Sequence, residues 1–161
     1  MAPPYIFRPM IAADLPLIRR WLAVPHVREW WGDPAEQYTL VSGDLDEPAM
    51  DQFIVSVPGR PFGYIQCYDL TAWNTGIGQQ PPGTRGIDQF NGEPDMIGCG
   101  HGSAFIRSFV DDRYKIGAPR VVTDPDPTNH RAIRAYENAG FIRDRLADTT
   151  EGEALLMVRN P

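Results

Sequence analysis

Gly98-Cys99-Gly100-His101-Gly102-Ser103 opens straight into Ala104-Phe105-Ile106-Arg107-Ser108-Phe109-Val110, a glycine-rich loop feeding a helical pattern. Glycines at alternate positions let the backbone approach a ligand closely and turn its N–H groups inward. A helix starting there adds the positive end of its dipole, and together these can cradle a pyrophosphate. Working outward, residues 86–90 read as a strand before the loop. The apolar strand Val121-Val122-Thr123 follows the helix, then the turn Asp124-Pro125-Asp126-Pro127. A second helix runs over residues 129–139 and is closed by Gly140-Phe141. A Walker loop is excluded, because no Gly-Lys-Ser/Thr completes it. A dinucleotide fold would put the loop near the first strand, with an acidic ribose ligand about 20 residues later. Here the loop lies past the middle of the chain. A plain tight turn between strand and helix accounts for the glycines but not for the segments around them.

The N-terminal half supplies further strands and helices. Tyr5-Ile6-Phe7-Arg8-Pro9 reads as a first strand, and Asp14 as the cap of a helix with Pro16 in its first turn. Leu15, Ile18, Trp21 and Leu22 fall at helical spacing and are expected in the core. His26-Val27-Arg28-Glu29-Trp30-Trp31 reads as a short helix stopped by Gly32. Two adjacent tryptophans cannot both face one way on a helix, so one is expected to be partly exposed. Packing is the ordinary reading, while the pair ending at Gly32 beside the acidic residues of 33–51 is a candidate binding wall. Residues 32–51 show little periodicity and read as an acidic loop with at most one helical turn, a candidate lid. Residues 53–57 and 62–68 make a hairpin, the second strand apolar on both faces and hence central. Residues 69–85 are an irregular insertion rich in Gly, Pro, Gln, Thr and Asn, and a last hairpin turns at Glu151-Gly152.

With 161 residues, the expectation is one domain spanning 1–161 with a substantial core. A net charge of −6, from 21 acidic against 15 basic residues, argues against a nucleic-acid binder and suits a cationic substrate. Ordinary solubility explains such a charge equally well. No apolar run approaches a membrane span, and Met1-Ala2-Pro3-Pro4-Tyr5 lacks the pattern of a signal peptide. Two cysteines, Cys67 and Cys99, make no disulfide framework, so the cytoplasm is the expected compartment. His26, His101 and His130 have no metal-ligand spacing, so no metal is expected. His101 is read as a solvent-facing filler of the loop.

The glycine loop and helix, the strand, and Asn129…Ala132…Tyr136-Glu137…Ala139-Gly140-Phe141 together resemble the GNAT (GCN5-related) acetyltransferases. The resemblance implies an α/β fold: a mixed, mostly antiparallel sheet with splayed central strands flanked by helices. It implies acetyl-CoA as co-substrate, held by Gln89, Phe90, Ile97, Gly98, Cys99, Gly100, His101, Gly102, Ser103 and Asn129. Tyr136 would face the thioester sulfur. The family often carries Arg or Gln where Ile97 stands, so that side-chain contact is absent here.

A narrower likeness, to the aminoglycoside 6′-N-acetyltransferases, rests on four quoted stretches. They are Pro25-His26-Val27-Arg28-Glu29-Trp30-Trp31-Gly32, Gly63-Tyr64-Ile65-Gln66-Cys67-Tyr68, Gly83-Thr84-Arg85-Gly86-Ile87-Asp88-Gln89-Phe90, and Thr123-Asp124-Pro125-Asp126-Pro127-Thr128-Asn129. It implies that Asp88 and Asp124 contact amino groups of the drug and that Trp31 lines the acceptor pocket. Where that group has an acidic Gly-Asp-Gly stretch, this chain has Trp73-Asn74-Thr75-Gly76.

The chemistry needs a neutral amine beside a thioester and a proton for the leaving thiolate. Asp88 can bind the ammonium and accept its proton, directly or through water; a loop-capping carboxylate is the alternative. Tyr136, two turns on from Asn129 and on the same face, can protonate the thiolate, or it simply packs in the core. Asp124 is read as a drug contact and Asp126 as a helix cap. Neither cysteine has a paired base, which favours direct transfer over an acyl-enzyme. Acylation of a siderophore-type hydroxylysine or other small amine, or an acyl-CoA sensor without turnover, are the competing functions. A monomer or homodimer is expected, with neither nucleic acid nor membrane as partner.

Overall fold

The computed structural model describes residues 5–74 and 76–161. Residues 1–4 of the signal-peptide reading and Thr75 of the insertion lie outside them. Among the described residues seven strands form one sheet in the order β1-β2-β3-β4-β5-β7-β6. The strands are β1 Ile6–Pro9, β2 Met50–Val57, β3 Arg60–Asp69, β4 Arg85–Asn91, β5 Val121–Thr123, β6 Ile142–Thr149 and β7 Gly152–Arg159. The helices are α1 Leu15–Leu22, α2 Pro25–Trp31, α3 Pro34–Gly43, α4 His101–Lys115 and α5 His130–Asn138. The sheet is mixed: β1–β2, β5–β7 and β6–β7 pair antiparallel, β4–β5 parallel. No described helix is long and apolar enough to cross a membrane.

The chain forms two compact units, and β3 and β4 run through both. The first comprises the residues up to Cys67 together with Asp88–His101. Its core gathers Met10, Ile18, Trp21, Leu22, Val27, Val41, Ile54, Tyr64 and Phe90, with Leu15 partly buried against it. Helical spacing thus predicted the inward face of α1. The cap did not follow: Asp14 makes no side-chain cap bond to α1. Its carboxylate accepts from the Ile11 amide at 2.9 Å and from Arg8 at 2.9 and 2.7 Å, because a cation and a closer amide outbid the helix end.

The expected loop over 32–51 is corrected as well. Ten of its residues form α3, started by Asp33, whose Oδ2 accepts from the Glu36 amide at 3.0 Å, and by Pro34 at the first helical position. Of its own residues only Val41 is buried, with Tyr38 partly buried beside it, so its apolar stripe is too thin to announce itself. Caps and packing decide the helix instead.

The second unit comprises Tyr68–Ile87 and Gly102–Pro161. Here the parallel pairing covers only Arg85↔Val121 and Gly86↔Val122, while β4 continues to Asn91. Where the ladder stops, the buried Thr123 Oγ1 donates to the Ile87 carbonyl at 3.3 Å. Between β3 and β4 the described residues form no strand, yet the segment is organised. Asn74 Oδ1 accepts from the amides of Gly76 and Ile77, its Nδ2 donates to the Gly78 carbonyl, and Ile77 is buried. Arg145 reaches across to the Ile77 carbonyl.

Candidate active site

On β3 and β4 side chains two apart share a face. Phe62 pairs with Gly92, Tyr64 with Phe90 and Gln66 with Asp88, so the strands run antiparallel with these residues opposed. The Gly92 amide donates to the Phe62 carbonyl at 2.7 Å. The Tyr64 and Phe90 rings stack at 5.4 Å and 29°. Gln66 Nε2 donates to Asp88 Oδ2 at 3.0 Å. Trp31, half-buried, stands edge-on to Phe90 at 5.1 Å and to Tyr64 at 6.1 Å, whereas Trp30 is 41% exposed. The tryptophan pair therefore divides in exposure, as expected. Trp31, Tyr64 and Phe90 make an aromatic wall on the face of β4 that carries Asp88.

Gln89 points to the opposite face of β4. The Phe90 ring is packed among Trp21, Trp31 and Tyr64, which leaves it only a backbone to offer a cofactor. Burial pushes the Tyr64 hydroxyl far above the usual tyrosine range, with the charges of Asp88 and Asp44 adding to the shift. That hydroxyl stays protonated at any working pH.

Beyond β4 the chain is braced before it reaches the glycine loop. His26 Nε2 donates to the Asn91 carbonyl at 2.6 Å, and Asn91 bonds the Glu93 amide and the Met96 carbonyl. A Cβ on Gly92 would fall 2.2 Å from the Trp21 ring, so only glycine passes there. Arg60 grips Asp95 with two bonds of 2.8 and 2.7 Å and lies 3.8 Å from Glu93, which also takes Arg20 at 3.0 Å. The side-chain bond to Arg60 holds the Asp95 carboxyl below its ordinary range. The acidic residues next to a would-be phosphate site are thus already paired with arginines.

The loop fits the cofactor the sequence implies. Gly98 and Gly100 adopt φ of 77° and 82°, and a Cβ at 98, 100 or 102 would meet nothing within 4 Å. The glycines serve backbone conformation, with open space where a Cβ would stand. Ile97 is half-buried, and Cys99 is exposed, its Sγ 3.7 Å from the Ile97 carbonyl. α4 begins earlier than the sequence pattern indicated, at His101. A solvent-facing His101 is overturned. Its Nδ1 lies 2.9 Å from the Tyr5 hydroxyl, and its ring meets Tyr5 edge-on at 5.9 Å and Phe62 at 5.5 Å. Tyr5, just ahead of β1, and Phe62 on β3, both distant in sequence, supply those partners. Ser103 is half-buried in the first turn of α4.

In the second unit, Asp124 is half-buried directly after β5. Asp126 bonds the Thr128 amide at 2.8 Å and the Thr128 hydroxyl at 2.7 Å, and these bonds lower its carboxyl below the ordinary range. It organises the turn ahead of α5 instead of capping the helix as expected, because its Oδ1 is taken up by Thr128. Asn129 caps α5, its Oδ1 accepting from the Ala132 amide at 3.2 Å. Tyr136 is 4% exposed, its ring against Phe141 at 5.5 Å, so packing takes most of its surface. Asp88, Trp31 and the loop through His101 thus belong to the first unit. Asp124, Asn129 and Tyr136 belong to the second. Sequence reasoning missed Gln52, Tyr64 and Gln66, which link to Asp88. Two polar groups at alternate positions of an apolar central strand were the available signal.

Residues 10–149 match the family model of an acetyltransferase (GNAT) domain. An aminoglycoside N(6′)-acetyltransferase type 1 of Klebsiella pneumoniae is 35% identical, over 94% of this chain and 81% of its own length. A kanamycin resistance protein of Rhizobium radiobacter is 40% identical over 48% of this chain and 73% of itself. AAC(6′)-Ib solved with coenzyme A and kanamycin superposes with a TM-score of 0.88 at 32% identity, covering 98% of this chain and 95% of that one. AAC(6′)-Ib with parmomycin and acetyl-CoA gives the same score and identity over 97% and 93%. The open glycine loop, the braced approach to it and the carboxylate under an aromatic wall thus stand on a fold shared with those enzymes, and the chain belongs to the GNAT acetyltransferases, in their aminoglycoside N(6′)-acetyltransferase family.

Proposed function

We propose that this chain, as a single acetyltransferase domain over 1–161, transfers the acetyl group of acetyl-CoA to the 6′-amine of an aminoglycoside in the cytoplasm. The observation that carries the reading is Asp88, its carboxylate held by Gln66 on the face walled by Trp31 and Phe90. A carboxylate beside aromatic faces suits an aminosugar, which offers an ammonium and an apolar ring face together.

The loop amides from Gly98 to Ser103 hold the pyrophosphate of acetyl-CoA. Asn129, with Oδ1 on its cap bond, has its Nδ2 to donate to the pantetheine arm. Asp88 binds the 6′-ammonium and takes its proton, directly or through water. The amine lone pair then attacks the thioester carbonyl carbon, the nitrogen releases its second proton to water, and the C–S bond breaks as the tetrahedral intermediate collapses. Tyr136 protonates the departing thiolate, giving the 6′-acetamide and free CoA. Asp124 holds a second ammonium of the drug. No covalent enzyme intermediate enters, consistent with Cys67 buried in β3 and Cys99 on the phosphate loop.

The test is to follow thiol release from acetyl-CoA with kanamycin or tobramycin, and with analogues carrying a 6′-hydroxyl. Release with the 6′-amines alone is expected. No release with any aminoglycoside, or release with hydroxylysine or polyamines instead, overturns the reading.

A further inference from the structure

We propose that Gln52, Tyr64 and Gln66 are positioning residues, forming a one-way hydrogen-bond relay that fixes the Asp88 carboxylate and ties it to the end of α3. The proposal rests on the reading of Asp88 as the acceptor-binding group. Gln52 Nε2 donates to the Val41 carbonyl at 2.9 Å and to the Tyr64 hydroxyl at 3.0 Å. The Tyr64 hydroxyl donates to Gln66 Oε1 at 2.7 Å, and Gln66 Nε2 donates to Asp88 Oδ2 at 3.0 Å.

The two ends determine every proton between them. The Val41 carbonyl, one of the last in α3 and without an intrahelical partner, can only accept, so Gln52 must present its amide NH2 there. Its second N–H then meets the Tyr64 oxygen, and the single tyrosine proton is left for Gln66. Gln66 must receive it on Oε1, which turns its NH2 toward Asp88. An ionised carboxylate can only accept, and it matches this arrangement. A carboxylic acid bearing its proton on Oδ2 would set one donor against another. The relay therefore favours the charged form of Asp88 and one orientation of it.

Packing alone does not require these groups. Tyr64 is wholly buried and stacks on Phe90, work that phenylalanine would do without burying a hydroxyl. Gln52, 7% exposed, is one of few buried polar residues among the described residues. Among the described residues, the bonds of these two polar groups run to each other, to α3 and along the path to Asp88. The helix that reads as a loop in the sequence thus sets the geometry of the acceptor carboxylate.

Two measurements test the relay. The first needs no acceptor, so its failure is separate from failure of the aminoglycoside reading. In an Asp44→Asn background, which removes the other carboxylate whose charge is felt at Tyr64, the side-chain amide resonances of Gln66 and Gln52 are followed by NMR as pH is lowered. Both are expected to shift with one midpoint, that of Asp88. In Tyr64→Phe the Gln52 response should vanish while that of Gln66 remains. A Gln52 amide silent in the parent, or still responding in Tyr64→Phe, overturns the relay.

The second is a kinetic cycle. Tyr64→Phe is expected to lower kcat for the acceptor about tenfold with the KM for acetyl-CoA unchanged, and to cause no further loss in an Asp88→Asn background. Independent, multiplying losses overturn the proposal.

Discussion

Trp31 stands edge-on to Phe90, ring centroids 5.1 Å apart at 89°, and Phe90 lies two residues beyond Asp88 on the same face of β4. A helix of seven residues thereby sets an indole beside the carboxylate that is to hold an amine. Trp31→Ala is expected to raise the aminoglycoside KM roughly fivefold, the worth of about 1 kcal/mol of ring contact. Trp30→Ala, on the exposed side, should leave it unchanged. Steady-state kinetics of the two variants decides the point.

Asp88→Asn keeps the shape of the side chain and removes its charge and basicity. Turnover is expected to fall at least about a hundredfold, the usual scale of a lost acid–base group. Acetyl-CoA affinity, measured by calorimetry, should stay within twofold by this argument, since the loop amides that bind it are untouched. A matching loss of cofactor affinity would count against the assigned role.

Tyr136→Phe tests the proton donor. The ring contact with Phe141 is retained, so stability should change little, while kcat falls about tenfold or more. Unchanged kcat would assign the proton to water.

Gly100→Ala places a side chain at a φ of 82° with nothing within 4 Å of its Cβ, so strain and not collision is the cost. About 1–2 kcal/mol is expected. Because the loop relaxes by turning its amides away, KM for acetyl-CoA should rise more than KM for the drug.

Asp14 gives a pH-dependent contribution to stability. Its carboxyl is held below the ordinary range, first by the side-chain bond to Arg8, with the Ile11 amide assisting. A depressed folded pKa stabilises fully above the unfolded value near about 4, and the contribution is lost as pH falls through the folded value. Asp14→Ala should therefore cost about 1–2 kcal/mol at pH 7. The gap to the parent protein should narrow below about pH 4 as the parent loses the same bonds. Thermal unfolding at pH 7 and pH 3 measures it.

Much of the fold is legible in local chemistry. The inward face of α1, the stop at Gly32 and the central character of β3 each follow from spacing or from one residue's conformational preference. α3 was hidden because it buries one side chain of its own, and no pattern of one is periodic. His101 was misread because its partners, Tyr5 and Phe62, come from segments far away in sequence.

The sequence by itself determined most of the elements, their order, and residue types suited to a pyrophosphate and an amine, because caps, turns and periodicities act over a few residues. Only the tertiary structure decided which side chains serve Asp88. Cross-strand pairing of β3 with β4 set Gln66 against it, and the fold of α3 gave Gln52 a carbonyl to hold. A hydrogen bond is directional and reaches about 3 Å, so the relay exists only once segments distant in the chain are brought to that distance in one orientation. Proximity of that kind depends on how strands align, which no local signal records.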